Sequence, residues 1–342
     1  MKVIKYLGKR LLYIIPQLFS VVVIAFFAVR KIPGDPARIM AGALVDEAGV
    51  EQIRERIGLS GTLFEQFKTY FGNLLHGDFG NSWVTGNPVI EDIKTRLPAT
   101  LQLVILALII SLFVMVPLGL KSITSAKGPG GKIIKKALSG YGMAAGAFPD
   151  FWLALILIFV FYVKLGIAPS PTGQIDLALS LPAQITGFSL IDSLIVGDIP
   201  AFMSILSRHI IPVFVLTFVY GGGILKVALT SATSTQKSEF INYAKINGVK
   251  PNYLQKYISK ASRPSVATFT AVNFGYMLGG TALVESVFSW GGFGQYAIQS
   301  VVNSDFTAIQ GVVLISAVLN LVVYVLVDII YMYIDPRITE IG

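Results

Sequence analysis

The chain has 342 residues, of which 54% are hydrophobic and 13% are charged, and its net charge is +8. A soluble domain carries about 25% charged residues, so an ordinary cytosolic enzyme, a disordered chain and a fibre are excluded. A mean hydropathy of +0.70 reads as an integral membrane protein, and the lack of cysteine removes disulfides, thiol chemistry and Cys-zinc sites.

A transmembrane helix needs about 20 mostly apolar residues. Residues 11–29 form the first candidate, behind Lys2, Lys5, Lys9 and Arg10. The stretch is too long for the core of a signal peptide, and its exit through Arg30, Lys31 and Pro33 offers no small-residue cleavage site, so it reads as an uncleaved first span.

Residues 30–98 are too many for a bare connection and should carry structure of their own. Val50, Ile53 and Ile57 ahead of Gly58, then Phe64, Phe67, Phe71 and Leu74, predict two short amphipathic helices. His76 to Ser82 is turn chemistry. The segment is either an extracytoplasmic cap packed on the bundle or a docking surface for a partner.

Five further spans follow at residues 101–120, 141–163, 209–225, 266–290 and 308–333, the fourth ending in Gly221-Gly222-Gly223. Six spans put both termini on one side. Basic residues concentrate on the cytoplasmic side. The N-terminus has four and no acid, residues 121–138 have five and no acid, and residues 226–265 have seven against Glu239 alone. Between them, residues 164–207 have only Lys164 against Asp176, Asp192 and Asp198. The alternation predicts that both termini are cytoplasmic.

The internal loop 226–265 is long enough to be a folded element. Ser238, Glu239, Tyr243, Ala244 and Asn247 predict a short helix, ended by Gly248 in the left-handed conformation and followed by Pro251. A second helix over 252–261 should run to Arg263-Pro264. Helix, glycine turn, helix is either a compact lever or a basic hairpin resting on anionic headgroups.

Chemistry is sparse. No phosphate-binding GxxxxGK[ST] occurs; Gly128-Pro129-Gly130-Gly131-Lys132 lacks the spacing and reads as a flexible loop. The chain should therefore not hydrolyse ATP. His76 and His209 lie too far apart in sequence to suggest a metal pair, and no GxSxG is present. Asp150, Glu285 and Asp328 lie near the ends of spans and read as boundary acids that reach water. Asn273, Gly275, Gly279 and Gly280 either allow close helix approach or line a path.

Six runs together resemble a known family. They are Pro33-Gly34-Asp35-Pro36-Ala37, Gly77-Asp78-Phe79-Gly80-Asn81-Ser82, Arg96 to Leu101, Leu165-Gly166-Ile167-Ala168-Pro169, Glu285 to Gly294, and Asp328 with Asp335-Pro336-Arg337. The chain is similar to permease subunits of bacterial ABC importers for dipeptides, oligopeptides and nickel, the first of the two paired permeases. The resemblance implies an all-α polytopic membrane protein with six transmembrane helices and the type I importer permease fold. It divides the chain into an N-terminus and first span (1–29), an extracytoplasmic cap or docking segment (30–98) and a core permease domain (99–342).

It also implies a coupling loop for an ATPase, carried onto Glu239, Tyr243, Ala244, Gly248, Val249 and Pro251. Asn242 and Tyr243 depart from the generic Glu and Ala of that loop, and Arg263-Pro264 replaces its usual Leu-Pro. Asn273, Gly279, Gly280 and Glu285 are the candidates to line the path. No catalytic residue, metal or cofactor is expected on this chain, ATP and Mg belonging to partner ATPase subunits. The implied partners are a second related permease in a heterodimer, two ATP-binding subunits, an extracytoplasmic substrate-binding protein and the lipid bilayer, with no nucleic acid. The implied location is the bacterial cytoplasmic membrane. Nickel or another small solute is the alternative cargo. A stand-alone secondary transporter and a poreless assembly subunit are the alternative classes, although no inverted repeat supports the former.

Overall fold

The computed structural model describes residues 2–31, 35–42, 44–124 and 129–334. Among them the regular structure is helical, and the one extended contact is an isolated bridge between Asn81 and Pro88. The first helix, α1 (Lys2–Val29), precedes three short helices: α2 (Pro36–Ala41), α3 (Glu47–Arg56) and α4 (Leu63–Leu75). The two predicted amphipathic helices are α3 and α4. The preceding α2 was not anticipated; Asp35 caps it by accepting from the Ala37 N–H at 3.0 Å.

The long helix α5 (Val89–Thr124) begins well before the expected second span and carries Pro98 inside it. Next come α6 (Pro129–Ala144), a 3-10 turn over Ala145–Ala147, and α7 (Asp150–Leu157), which continues as a π-helical stretch to Lys164. The expected third span is thus broken, its two halves bent by 102°. Pro129 to Lys132 open α6 and are not a loop; Gly128 lies outside the described residues.

After a long connection come α8 (Ser189–Val196), α9 (Ile199–Gln236), α10 (Glu239–Ile246), α11 (Pro251–Val287), α12 (Phe293–Val302) and α13 (Phe306–Ile334). The expected separate helix over 252–261 is the first part of α11, which runs through Pro264 without ending. Membrane helices tolerate interior proline because neighbouring groups satisfy the freed backbone. Asp335, Pro336 and Arg337 lie outside the described residues.

Among the described residues four helices are long and apolar enough to cross a membrane: α1, α5, α9 and α13. The bent pair of α6 and α7 makes a fifth, broken span. Helix α11 has the length, but its glycines and polar residues take it out of that set.

The core gathers where α5, α9 and α11 meet. Leu103, Val104 and Ala107 pack against Val215 and Leu216, and Met277 and Leu278 close the other side. In lipid, apolar helices gain little by leaving water, so association comes from close packing, which small residues permit. Gly221, Gly222 and Gly223 do this in the middle of α9. A Cβ on Gly221 would press on Met115 and Ser111 of α5, on Gly222 on Ala145, and on Gly223 on Phe269 of α11. The three glycines therefore join helices and do not stop one.

The short helices before α5 fold back on the bundle. Phe67 and Phe71 of α4 meet Phe26 and Phe19 of α1, with ring centroids 5.1 and 5.6 Å apart. Arg30 lies 3.4 Å from the Phe26 ring centre and donates to Gln66 at 2.9 Å. Helix α4 starts with a capping box between Thr62 and Glu65.

Candidate functional site

Three arrangements carry the residues singled out by sequence. The first is the turn after α10. Gly248 has φ +75°, where a residue with a Cβ is strained. Its N–H reaches the Lys245 carbonyl at 3.0 Å, and the Val249 N–H reaches the Ala244 carbonyl at 3.1 Å. These are the two bonds of a Schellman ending. Pro251 then starts α11, where its missing N–H costs nothing. Helix α10 has two faces. Ile241 is fully buried in a cluster with Leu225, Leu229 and Ile258, while Phe240, Tyr243 and Ile246 are exposed at 51%, 71% and 85%. Their spacing of three puts them in one stripe. Glu239 and Lys245 are exposed beside it. Sequence reading found the turn and missed the stripe, although the spacing was there to see.

The second arrangement lies at the C-terminal end of α11. Glu285 is fully buried, so it does not reach water as expected. Its carboxylate accepts from the Thr100 hydroxyl of α5 and, at 2.9 Å, from the Gln295 N–H in the first turn of α12. Thr100 accepts in turn from the Phe293 N–H at 2.8 Å. A Cβ on Gly292 would fall 2.7 Å from the Thr100 oxygen. The run from Glu285 to Gly294 is therefore a helix-capping knot. Nearby, Asp305 caps α13 through the Ala308 N–H at 3.0 Å and accepts from Ser82 at 2.6 Å and Trp83 at 2.9 Å. That contact explains the turn chemistry before α5. His209 is buried beside Gln102 and Trp290, while His76 ends α4 on the surface. Among the described residues no group of side chains could hold a metal ion.

Beside this knot the connection between α7 and α8 roofs a cavity of about 460 Å³, with Arg96, Gln174, Asp176, Ser189 and Trp290 in its wall. Arg208 ties the roof to α9 by donating to Asp176 at 3.0 Å. The Ala178 N–H and then Arg208 hold the Asp176 carboxyl below the ordinary carboxylate value.

The third arrangement is at the break between α6 and α7. Asp150, 8% exposed, accepts from the Tyr220 hydroxyl at 2.9 Å and from the Phe151 N–H at 2.7 Å. Tyr220 belongs to the 38-residue α9, and its hydroxyl leaves Asp150 largely shielded from water, not open to it as expected. Asn273 donates to the Tyr220 carbonyl at 3.3 Å. Gly280 is packed so closely that a Cβ there would overlap the Tyr220 hydroxyl and lie 2.7 Å from Asp150. Gly279 faces open space. Of the four candidates to line the path, Asn273 and Gly280 thus meet at this cluster, Gly279 stands apart, and Glu285 belongs to the knot. Asp328 of α13 is half-buried.

Several helices long and apolar enough to cross a membrane, with one broken pair beside a buried carboxylate, define a multi-pass membrane protein. Its family follows from comparison. Residues 122–340 match the binding-protein-dependent transport system inner membrane component, and residues 3–104 match the N-terminal part of such membrane components. The chain belongs to this family, a transport permease and not an enzyme. It is 35% identical to the probable D,D-dipeptide transport system permease of Escherichia coli K12, covering 94% of each chain. It is 32% identical to an oligopeptide transport system permease of Bacillus subtilis 168, over 97% of this chain and 98% of that one. It is 30% identical to a di/tripeptide transport system permease of Pseudomonas aeruginosa UCBPP-PA14, over 98% of each.

Proposed function

We propose that this chain forms one half of the translocation pore of an ATP-driven peptide importer in the bacterial cytoplasmic membrane. A related permease supplies the other half. Two ATPase subunits, which hold the ATP and Mg, dock from the cytoplasm, and a substrate-binding protein docks outside on residues 30–98 and the roofed cavity. Helix α11 is the sixth span, and its polar character suits a helix that borders the path. Both termini then face the cytoplasm, in line with the alternation of basic residues.

The observation that carries this reading is the α10 element. Ile241 fastens the helix to α9 and α11, while the Phe240, Tyr243 and Ile246 stripe is left for a partner. A rigid helix on a fixed turn transmits a push from ATPase closure to α9 and α11 together, and so to the core of the pore. The test is reconstitution with the neighbouring permease, both ATPases and the binding protein in proteoliposomes. Uptake of labelled dialanine should require ATP and every subunit. Uptake without the ATPases, or failure of the ATPases to copurify, would overturn the assignment.

A further inference from the structure

The cluster at the break of the third span has the chemistry of a cation site. Asp150 is buried, and its carboxylate is met by a hydroxyl and by the neighbouring backbone N–H; among the described residues it forms no ion pair. A buried carboxylate without a counter-ion is costly. It opens onto a cavity of about 370 Å³ that Asn273 lines with the rings of Phe148, Tyr220 and Phe269, and no lysine, arginine or histidine contributes to that wall. A carboxylate attracts an ammonium ion by charge, and aromatic rings in the same wall add a cation–π attraction. The surrounding backbone is irregular, a 3-10 turn and a bend of 102° between two helical segments. At membrane depth such backbone persists only where protein buries it or where it lines a cavity. The fit of Tyr220 and Asp150 against Gly280 holds the carboxylate in one place.

We propose that Asp150, with Tyr220 and the aromatic wall, is a binding station for a primary ammonium group, which in a peptide is the free amino terminus. The inference rests on the peptide-import reading for the source of the ammonium and on this cluster alone for its recognition.

The test uses the complete transporter in proteoliposomes with three probes: dialanine, N-acetyl-dialanine and N-acetyl-lysyl-alanine. Binding-protein affinities for each are measured separately, so that their preference can be divided out. Asp150→Asn keeps the size and the acceptor for the Phe151 N–H but removes the charge. It should lower dialanine uptake about tenfold, the scale of a lost charged hydrogen bond, and leave N-acetyl-dialanine unchanged. Asp150→Glu should restore part of the difference. A selective loss with N-acetyl-lysyl-alanine instead assigns the station to lysine side chains and overturns the amino-terminal assignment. Equal losses for all probes, or none, overturn the site.

If no probe is transported, the peptide reading fails, and the site is then read directly. Phenethylammonium should protect Asp150 from modification by dicyclohexylcarbodiimide, detected by mass spectrometry, while N-acetyl-phenethylamine should not. Absence of modification, or of selective protection, overturns the proposal.

Discussion

The Thr100 hydroxyl donates to the Glu285 carboxylate inside the protein, joining residues 185 positions apart in the chain. The bond fastens α5 to α11, and the second oxygen of the same carboxylate caps α12. One side chain thereby fixes three helices at one end of the bundle.

Glu285→Ala should consequently destabilise the protein by about 2–4 kcal/mol, because the Thr100 hydroxyl and the Gln295 N–H are left buried without an acceptor. Glu285→Gln keeps one acceptor and should cost about half as much. Thermal unfolding of the detergent-purified complex measures both. Equal melting temperatures for Glu285→Ala and the parent protein would show that the knot carries no stability.

The turn after α10 makes a different kind of prediction. A Cβ on Gly248 meets nothing within 4 Å, so the penalty of substitution is conformational and not steric. Gly248→Val places a β-branched residue at φ +75°, at a cost of about 1–3 kcal/mol. The ending should re-form differently and re-aim α10. The expected phenotype is an assembled complex whose ATPase activity no longer follows the binding protein and whose uptake is lost. Gly248→Asn, which tolerates the left-handed region, should retain most transport. Uptake by Gly248→Val at the parent rate would remove the turn from the mechanism.

The exposed stripe on α10 separates docking from folding. Tyr243→Ala and Ile246→Ser should weaken retention of the ATPase subunits by about 1–2 kcal/mol each, the usual loss for an apolar anchor at an interface, with melting unchanged. Ile241→Ala, inside the cluster with Leu225 and Ile258, should instead lower stability by about 2–4 kcal/mol. Quantitative copurification with melting curves distinguishes the two faces. The same response from both would mean that α10 has no free face.

The roof of the cavity beside the knot should be sensitive to acid. The Asp176 carboxyl is held below the ordinary carboxylate value by the Ala178 N–H and by Arg208. Its contribution is complete above that ordinary value and is lost as pH falls through the lower, folded one. Amide exchange over residues 170–182, taken relative to the unstructured rate at each pH, should therefore be slow from neutral pH down to the ordinary carboxylate range and speed up below it. Asp176→Asn should show the fast exchange already at neutral pH. Exchange indifferent to both changes would show that the tie to Arg208 does not hold the roof.

Local signals were legible and depth was not. Gly248 and Gly58 could be placed as helix ends because a left-handed terminus needs only its own backbone, and both have positive φ. Phe67 and Phe71 were read from spacing, and they pack as an amphipathic face should. Asp150 and Glu285 were misplaced because burial depends on residues far away in sequence: Tyr220 for one, Thr100 and the start of α12 for the other. Gly221 to Gly223 looked like a stop because glycine weakens a helix in water. Inside a bundle the same absence of side chain is what lets neighbours approach.

That glycine run has a mechanical consequence. Successive residues of a helix point about 100° apart, so Gly221, Gly222 and Gly223 offer three flat facets in three directions, and each is already filled: by α5, by Ala145 and by α11. The middle of α9 is shaped like a keyed shaft. It cannot turn by one residue without driving a side chain into at least one neighbour. Rotation of α9 about its own axis is therefore blocked unless α5, α11 and the turn at Ala145 move with it, so these elements are keyed to behave as one block.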